Sequence, residues 1–271
     1  MLGVFDSGFG GLTVLRTVRN ILPTADILYL GDSARTPYGN RSRSIVTQYT
    51  QECCAALFNR GCTLIILACN TASADTLRTL QQEWLPPLRK ERGDAMFNII
   101  GVVRPLAEEA VESTKNKCIG VVGTRGTVES RTYIEELVSV LPDAKVVQQA
   151  CPLLVPLVEE GWERTPEARR ILRKYLLPLK AHHPDVLILG CTHYEALHPL
   201  FQAKMGKRCT VLHTPDVVAR KLAMYVERHP EYNLGNTGKT VFLTTGDPER
   251  FQELGSRFYG SQIDSVERIE L

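Results

Sequence analysis

Residues 64–71 read LIILACNT, and residues 186–193 read VLILGCTH. Each stretch is an apolar run of strand length that ends in a small residue, a cysteine and a polar residue. Continuous apolar runs of this kind are typical of strands that are buried on both faces of a parallel sheet. The cysteines of the two stretches stand 122 positions apart, and a fainter pair, GVFDSG at 3–8 and GVVGTR at 120–125, is offset by 117 positions. Two pairs at nearly one offset predict two similar α/β halves.

Outward from these stretches, short apolar runs alternate with longer amphipathic ones, which is the pattern of βα units around a mostly parallel sheet. Residues 44–60 fit a 3.6-residue period and predict a helix. We therefore predict an α/β fold in which helices flank mostly parallel sheets. The predicted strands are 2–5, 27–30, 63–68, 99–103, 118–122, 186–190, 211–213 and 241–245.

The internal similarity predicts two pseudo-symmetric α/β domains. We place the first domain at residues 1–95 plus 208–271 and the second at residues 96–207. The first junction lies near residues 85–94, where Pro86 and Pro87 are expected to end a helix before a charged run.

Length and composition exclude several classes of protein. A chain of 271 residues can bury its core without disulfides or metals. Its 32 Lys and Arg residues nearly balance 30 Asp and Glu residues and are scattered, which argues against a nucleic-acid binder. The apolar runs are far shorter than the ~18 residues that indicate a membrane span, and the N-terminus lacks the pattern of a secretory leader, so we expect a cytoplasmic protein. The eight cysteines contain no Cys-x-x-Cys pair, which argues against zinc ribbons and redox motifs.

Cys69 and Cys191 each end a predicted buried strand and stand just before the predicted start of a helix. Open α/β folds bind ligands at this edge of the sheet, and a helix N-terminus favours both a thiolate and a bound anion such as a carboxylate. For either cysteine alone, core packing is the favoured interpretation, because free cysteines are often buried. Their matched placement in two halves favours a chemical role.

Two loops after predicted strands carry further candidates. Residues 6–11, DSGFGG, suggest a nucleotide loop, but a dinucleotide fingerprint needs a glycine where Thr13 stands, and a phosphate-loop lysine is absent. The carboxylate of Asp6 better suits an ammonium group or a neighbour whose proton it can accept. In residues 31–39, Pro37 and Gly39 fix a backbone path that could present N–H groups to a ligand, although a turn without function is equally compatible.

His193 lies two residues beyond Cys191, where it could polarise that thiol. Glu159 follows an apolar stretch and, taken alone, is compatible with a solvated helix end. A Cys191/His193 pair without further ligands does not indicate a metal site, and we predict none. We predict that four other histidines lie on the surface: His182, His183, His198 and His229.

Four motifs taken together resemble the glutamate racemase family of aspartate/glutamate racemases. They are DSGFGG at 6–11, PYG at 37–39, ACNT at 68–71 and GCTHY at 190–194, in that order, and the resemblance spans most of the chain. It implies a cofactor-independent isomerase that makes D-glutamate for peptidoglycan precursors, with glutamate as its small-molecule substrate, no metal, and a homodimeric assembly. It also implies an active site in the cleft between two domains, which could close over the substrate.

Inversion of an α-carbon needs proton removal on one face and proton delivery on the other, and two matched cysteines fit that requirement. By the resemblance, Asp6 assists Cys69, while Glu159 and His193 assist Cys191. The resemblance places substrate binding at Asp6, Ser7, Pro37, Tyr38, Gly39, Cys69, Asn70, Thr71, Cys191, Thr192 and His193, with Thr124 and Thr127 as further candidates from the second half.

The chain departs from the family pattern at three places. Phe9 stands where Val is common, Glu195 stands where Pro is usual, and residues 211–216, VLHTPD, replace a more acidic and small pattern. Glu195 could alter substrate preference or could lie in solvent along the following helix.

Three other functions remain open at this stage. The first is a two-cysteine racemase or epimerase for aspartate or a larger diamino acid. The second is a thiol hydrolase that uses Cys191 with His193, in which Cys69 only packs the core. The third is a ligand-binding or regulatory protein without turnover.

Overall fold

The computed structural model describes residues 1–93 and 96–271. Within these residues the chain forms ten strands in two separate sheets. The strands are β1 (Leu2–Asp6), β2 (Ile27–Gly31), β3 (Leu64–Leu67), β4 (Asn98–Gly101), β5 (Cys118–Gly123), β6 (Lys145–Ala150), β7 (Val186–Gly190), β8 (Thr210–Val211), β9 (Thr240–Thr244) and β10 (Glu267–Arg268).

Every strand pair in both sheets is parallel, and helices connect the strands. The first sheet has the order β10-β9-β2-β1-β3-β4, and the second has the order β6-β5-β7-β8. Since parallel strands need crossover connections, this topology follows from the alternation of strand and helix patterns along the chain. The predicted α/β fold with two helix-flanked parallel sheets is confirmed.

Twelve α-helices lie in the described part of the chain. They are α1 (Leu12–Ile21), α2 (Arg43–Asn59), α3 (Asn70–Thr79), α4 (Leu85–Glu91), α5 (Val103–Ser113), α6 (Arg125–Glu129), α7 (Thr132–Val140), α8 (Leu154–Glu159), α9 (Pro166–Lys180), α10 (His198–Met205), α11 (Thr214–Arg228) and α12 (Pro248–Tyr259). Short 3₁₀ helices span Tyr38–Asn40, Thr192–Leu197 and Pro230–Tyr232, and a π-helical turn spans Leu80–Trp84. None of the described helices combines the length and the apolar character that crossing a bilayer demands.

Both faces of the first sheet are buried, as its apolar strands predict. Along β1, Leu2 and Val4 contribute to one apolar cluster, whereas Phe5 contributes to a second cluster on the opposite face. The cluster that contains Leu2 also contains Ile119 and Leu187 from the second sheet, so the two halves share one apolar core. In this conformation, the shared core brings the strand ends of the two sheets close to one another.

The eight predicted strands all occur, with bounds within two residues of the prediction, and the predicted helix at 44–60 is α2. The strands β6 and β10 were missed. The role predicted for Pro86 and Pro87 is wrong. These prolines lie in the first turn of α4, where the missing backbone N–H groups are not needed, and the π-helical turn before them continues the helical path.

Two short strands, β4 and β8, each pair with a strand of the other predicted domain. β4 lies beyond residue 95 but pairs with β3 in the first sheet. β8 lies beyond residue 207 but pairs with β7 in the second sheet. The division into 1–95 plus 208–271 and 96–207 stays a prediction, and the sequence at 94–95 lies outside the described residues.

Candidate functional site

The candidate site lies at the carboxyl ends of the central strands of both sheets. Asp6 is the last residue of β1, and Cys69 follows β3 as the residue before α3. Cys191 directly follows β7, and Thr124 directly follows β5. This is the edge at which open parallel sheets bind ligands, and here two such edges face one another.

A cavity of about 20 Å³ lies between the two sheet edges, and both cysteines line it. A volume of this size accommodates about one water molecule. The lining residues are Ser7, Thr36, Pro37, Tyr38, Gly39, Cys69, Asn70, Thr71, Thr124, Val155, Cys191, Thr192 and His193.

Cys69 is buried among polar groups of the first half. Its thiol donates a hydrogen bond to Ser7 Oγ at 3.4 Å. Burial is the largest cause that raises the pKa of this thiol to about 12, and the Asp6 carboxylate adds to the effect, while the backbone N–H of Ala72 opposes it. Cys69 therefore holds its proton in this conformation and can donate it.

Asp6 lies fully buried behind this thiol and does not line the cavity. Its Oδ2 accepts a hydrogen bond from the backbone N–H of Gly8 at 2.9 Å, and its Oδ1 accepts one from Thr192 Oγ1 at 3.4 Å. Burial raises the pKa of the Asp6 carboxyl, although the nearby His193 and the N–H groups of Gly11 and Gly8 lower it. A carboxyl with a raised pKa is a stronger base than an ordinary aspartate and can accept a proton more readily.

Cys191 is flanked by a histidine and a glutamate from the second half. The Nε2 atom of His193 lies 3.1 Å from Glu159 Oε1, which itself does not line the cavity. Burial alone lowers the pKa of His193, but the neighbouring sulfur of Cys191 and the Glu159 carboxylate outweigh it and raise this pKa to about 10. His193 is therefore protonated at neutral pH and places a positive charge beside Cys191.

The two halves are joined at the cavity by three threonines. Thr71 Oγ1 lies 2.9 Å from Thr124 Oγ1 and 3.3 Å from Thr127 Oγ1. Thr124 also caps α6, because its Oγ1 accepts the N–H of Thr127 at 3.2 Å. Thr124 reaches the cavity, whereas Thr127 is fully buried and stays behind it. Thr127 therefore positions the other two hydroxyls.

The side-chain amide of Asn70 has a donor without a hydrogen-bond partner among the described residues. Its Oδ1 accepts a hydrogen bond at 2.6 Å from the hydroxyl of Tyr133, a buried residue of α7. Its Nδ2 is buried and has no hydrogen-bond partner among the described residues. An unsatisfied buried donor costs about 1–3 kcal/mol, and an acceptor on a bound ligand would remove that cost.

The loop that contains Pro37 lines the cavity with four consecutive residues, 36–39. The hydroxyl of Tyr38 donates to Asp32, whose carboxylate also accepts from Arg35 Nε at 2.7 Å. The phenol is thus engaged away from the ligand position. A Cβ atom on Gly39 would lie 2.5 Å from Thr124 Cβ, so only glycine allows the loop to approach the second half this closely.

The structure brings eleven of the thirteen predicted binding residues to the cavity and leaves Asp6 and Thr127 behind them. Sequence reasoning missed Thr36, Val155 and Tyr133. Thr36 directly precedes Pro37 in the predicted binding loop, and this position is a sequence signal for it. Val155 and Tyr133 carry no sequence signal, because a hydrophobic or aromatic residue in a helix most often packs a core.

Two predictions outside the cavity need correction. His198 is not a surface residue: it is 8% exposed, and its Nε2 donates to the carbonyl of Val211 at 3.0 Å. Glu195 neither lines the cavity nor lies in solvent, since its side chain is 11% exposed and accepts a hydrogen bond from His213.

Other side chains outside the cavity follow simpler patterns. His182 and His183 are exposed as predicted, and His229 is half-buried. Phe9 is buried and stacks on Phe258, whose ring meets His193 edge-on.

Comparison with known proteins identifies the family. The Asp/Glu/Hydantoin racemase family matches residues 12–222. The glutamate racemase of Caulobacter sp. (strain K31) is 40% identical over 278 residues, covering 97% of this chain and 98% of that relative. The crystal structure of glutamate racemase isoform RacE1 from Bacillus anthracis has a TM-score of 0.90 and 35% identity, covering 100% of this chain and 97% of that chain.

A ligand-bound structure is similar as well. The glutamate racemase from Francisella tularensis subsp. tularensis SCHU S4 in complex with D-glutamate has a TM-score of 0.86 and 26% identity, covering 99% of this chain and 97% of that chain. The resemblance seen in the sequence motifs therefore extends over the whole chain and its fold. The chain belongs to the Asp/Glu/Hydantoin racemase family, among its glutamate racemases, which are isomerases that act on amino acids.

Proposed function

We propose that this protein interconverts L-glutamate and D-glutamate by a two-base mechanism without a cofactor, using Cys69 and Cys191 as the acid/base pair. The observation that carries the proposal is that both thiols line one small cavity, each at a strand end of a different sheet. A substrate held between them would expose opposite faces of its α-carbon to the two sulfurs.

The two thiols lie in different electrostatic surroundings. Cys69, with a pKa of about 12, stays a thiol, whereas the protonated His193 places a positive charge beside Cys191. One sulfur can thus remove the α-proton while the other delivers a proton to the opposite face. The reverse reaction needs the exchanged state, and a substrate ammonium group near Cys69 would favour its thiolate.

Substrate carboxylates find donors at the same place. Asn70 lines the cavity, and its buried Nδ2 has no partner among the described residues. Asn70 is also the first residue of α3, whose free N–H groups favour an anion. Thr71 and Thr124 add hydroxyl donors across the two halves. The substrate class that this set favours is an amino acid with carboxylates, in agreement with glutamate.

The cavity must open for substrate to enter, because about 20 Å³ cannot hold an amino acid. Closure afterwards would exclude water from the α-carbanion and strengthen its interactions with oriented donors. Movement of the two halves about their shared threonine contacts is the simplest route. The proposed domains, 1–95 plus 208–271 and 96–207, are the bodies that would move.

We further propose a role in supplying D-glutamate for peptidoglycan precursors, in the cytoplasm and as a homodimer. The family resemblance supports these assignments. A reducing compartment is required in addition, because an oxidised Cys69 or Cys191 could not exchange a proton. Rescue of a D-glutamate auxotroph tests the role, and light scattering of the purified protein tests the assembly.

The experiment that tests the activity uses each glutamate enantiomer separately in deuterated water, with dialysed enzyme and no added pyridoxal phosphate. A two-base mechanism predicts that the product enantiomer carries solvent deuterium at Cα while the remaining substrate stays protiated early in the reaction. Absence of conversion and exchange with both enantiomers would overturn the assignment, and so would turnover confined to aspartate or a diamino acid. Early deuterium in the unconverted substrate would contradict the two-base route.

A further inference from the structure

Three side chains of metal-binding type meet outside the cavity. Glu195, His198 and His213 each offer one ligand atom, and these atoms lie within 4.8 Å of one another. In residues 1–93 and 96–271 no other group of three such side chains meets this condition. Glu195 lies in the 3₁₀ helix after Cys191, His198 begins α10, and His213 precedes α11.

His198 is held in the manner of a metal-binding histidine. It is 8% exposed, and its Nε2 lies 3.0 Å from the carbonyl oxygen of Val211. Because a carbonyl only accepts, Nε2 must carry the proton, and the lone pair is on Nδ1. A hydrogen bond from one ring nitrogen to a backbone carbonyl is the common way to orient a histidine whose other nitrogen binds a metal.

Glu195 has a carboxylate oxygen without a partner. Its Oε1 accepts a hydrogen bond from His213 Nδ1 at 2.6 Å, while its Oε2 is buried and has no hydrogen-bond partner among the described residues. An unsatisfied buried carboxylate oxygen is unfavourable, and a cation would satisfy it. Burial also raises the pKa of Glu195, although His213 opposes this shift.

His213 supplies the exposed side of the cluster. Its side chain is 54% exposed, and its ring stacks on that of His198 with the centroids 3.5 Å apart. The exposed position gives an entry path from solvent and room for the side chain to rotate. Glu195 and His213 are also two positions at which the sequence departs from the family pattern, and the structure shows these departures in contact.

We propose that Glu195, His198 and His213 form a binding site for a divalent transition-metal ion of the zinc type. Two imidazoles and one carboxylate are the ligands that such ions accept, and a water molecule would complete a four-coordinate site. Ligand atoms in such a site lie about 2.0–2.2 Å from the ion, so the three side chains, whose ligand atoms lie within 4.8 Å of one another, would rotate to bind it. A metal ion binds imidazole and carboxylate groups only through atoms that carry no proton, so the affinity should fall in acid.

A bound ion at this place would tie three elements together. The 3₁₀ helix that follows Cys191 would be linked to the starts of α10 and α11. We expect the ion to stabilise the folded protein, since a ligand that binds only the folded state raises its unfolding temperature. The racemase chemistry does not require the ion, so the site and the activity can be tested separately.

Titration with Co²⁺ tests the site directly. The ligand-field bands of Co²⁺ in the visible range report nitrogen and oxygen coordination, whereas a thiolate ligand adds an intense charge-transfer band in the near ultraviolet. We expect one equivalent of Co²⁺ to bind to the wild-type protein without the thiolate band. His213→Ala should weaken binding by about tenfold or more, because even outer-shell partners of metal ligands contribute that much.

His229→Ala is the matched control. His229 also bonds a glutamate, with Nδ1 2.8 Å from Glu231 Oε1, but that pair belongs to no three-ligand group among the described residues. This variant should bind Co²⁺ as the wild type does, and both variants should keep the wild-type circular dichroism and racemase activity. The proposal is overturned if the wild type does not bind Co²⁺, if only the thiolate band appears, or if His213→Ala binds as tightly as the wild type.

Discussion

The charge of Glu159 controls the protonation of His193, and its removal gives the sharpest prediction about the site. In the structure, Glu159 Oε1 lies 3.1 Å from His193 Nε2. Glu159→Gln keeps the size of the side chain and an oxygen that can make this contact, but it removes the negative charge. The pKa of His193 lies at about 10 against an ordinary value of 6.5. At about 1.4 kcal/mol for each pKa unit, this gap corresponds to a net stabilisation of the protonated ring on the order of 5 kcal/mol, which Cys191 and Glu159 provide after they have offset the opposing effect of burial.

An opposite charge at this distance raises a histidine pKa by about one unit or more. We therefore expect the alkaline limb of kcat/KM for racemisation to move to lower pH by about one unit or more in Glu159→Gln. Circular dichroism of the glutamate enantiomers, followed across the pH range, gives the profile. The matched control is Glu160→Gln, which makes the same charge change at the adjacent exposed residue. An alkaline limb that stays in place in Glu159→Gln would refute the assigned role of this carboxylate.

The same ion pair makes a prediction about stability. Because the folded-state pKa of His193, about 10, lies above its ordinary 6.5, the folded protein holds this proton more tightly than the unfolded chain does. The resulting stabilisation is complete below pH 6.5 and is lost as the pH rises toward 10. Urea unfolding of Glu159→Gln should show a smaller decrease of the unfolding free energy across this window than the wild type. A decrease of equal size in both proteins would contradict the ion pair.

Two further substitutions test the positioning of the substrate. Tyr133→Phe removes the donor to Asn70 Oδ1, at a cost of about 1–3 kcal/mol. The KM for glutamate should therefore rise about fivefold or more, with a smaller change in kcat. An unchanged KM would mean that this hydrogen bond does not orient the amide of Asn70. Gly39→Ala places a Cβ 2.5 Å from Thr124 Cβ and should cost about 1–3 kcal/mol of stability as well as activity. Gly8→Ala, whose Cβ would meet its nearest atom at 3.6 Å, is the control that should be milder, and equal losses would argue against the close approach.

The parts of the fold that the sequence predicts are those in which burial determines residue type. The runs at 64–67 and 186–190 are buried on both faces, so every position is apolar and the strand ends are easily read. β6 was missed because it is an edge strand of the second sheet, only partly buried, with two glutamines in its sequence. β10 has only two residues and is exposed, so it carries no apolar pattern at all.

The sequence predicts those site residues whose type has few roles other than a chemical one. Cys69 and Cys191 stand out because a thiol at matched strand ends has few other roles. Tyr133 and Val155 could not be predicted, since their contribution depends on how α7 and α8 pack against the other half.

The cluster of Glu195, His198 and His213 could not be predicted from the sequence either. Its members lie on three elements, and no spacing along the chain indicates that α10 and α11 begin side by side. Side chains that meet only through tertiary packing leave no local pattern.

The central claim is that two thiols act on one α-carbon, and racemisation by the single variants Cys69→Ser and Cys191→Ser tests it most directly. Serine keeps the shape of each side chain but is a far weaker acid. We predict that each variant loses about 100-fold or more of the wild-type rate in both directions, because each step needs both groups. Retention of wild-type racemisation by Cys69→Ser would contradict the account and would leave Cys191 with His193 as a thiol centre of another kind.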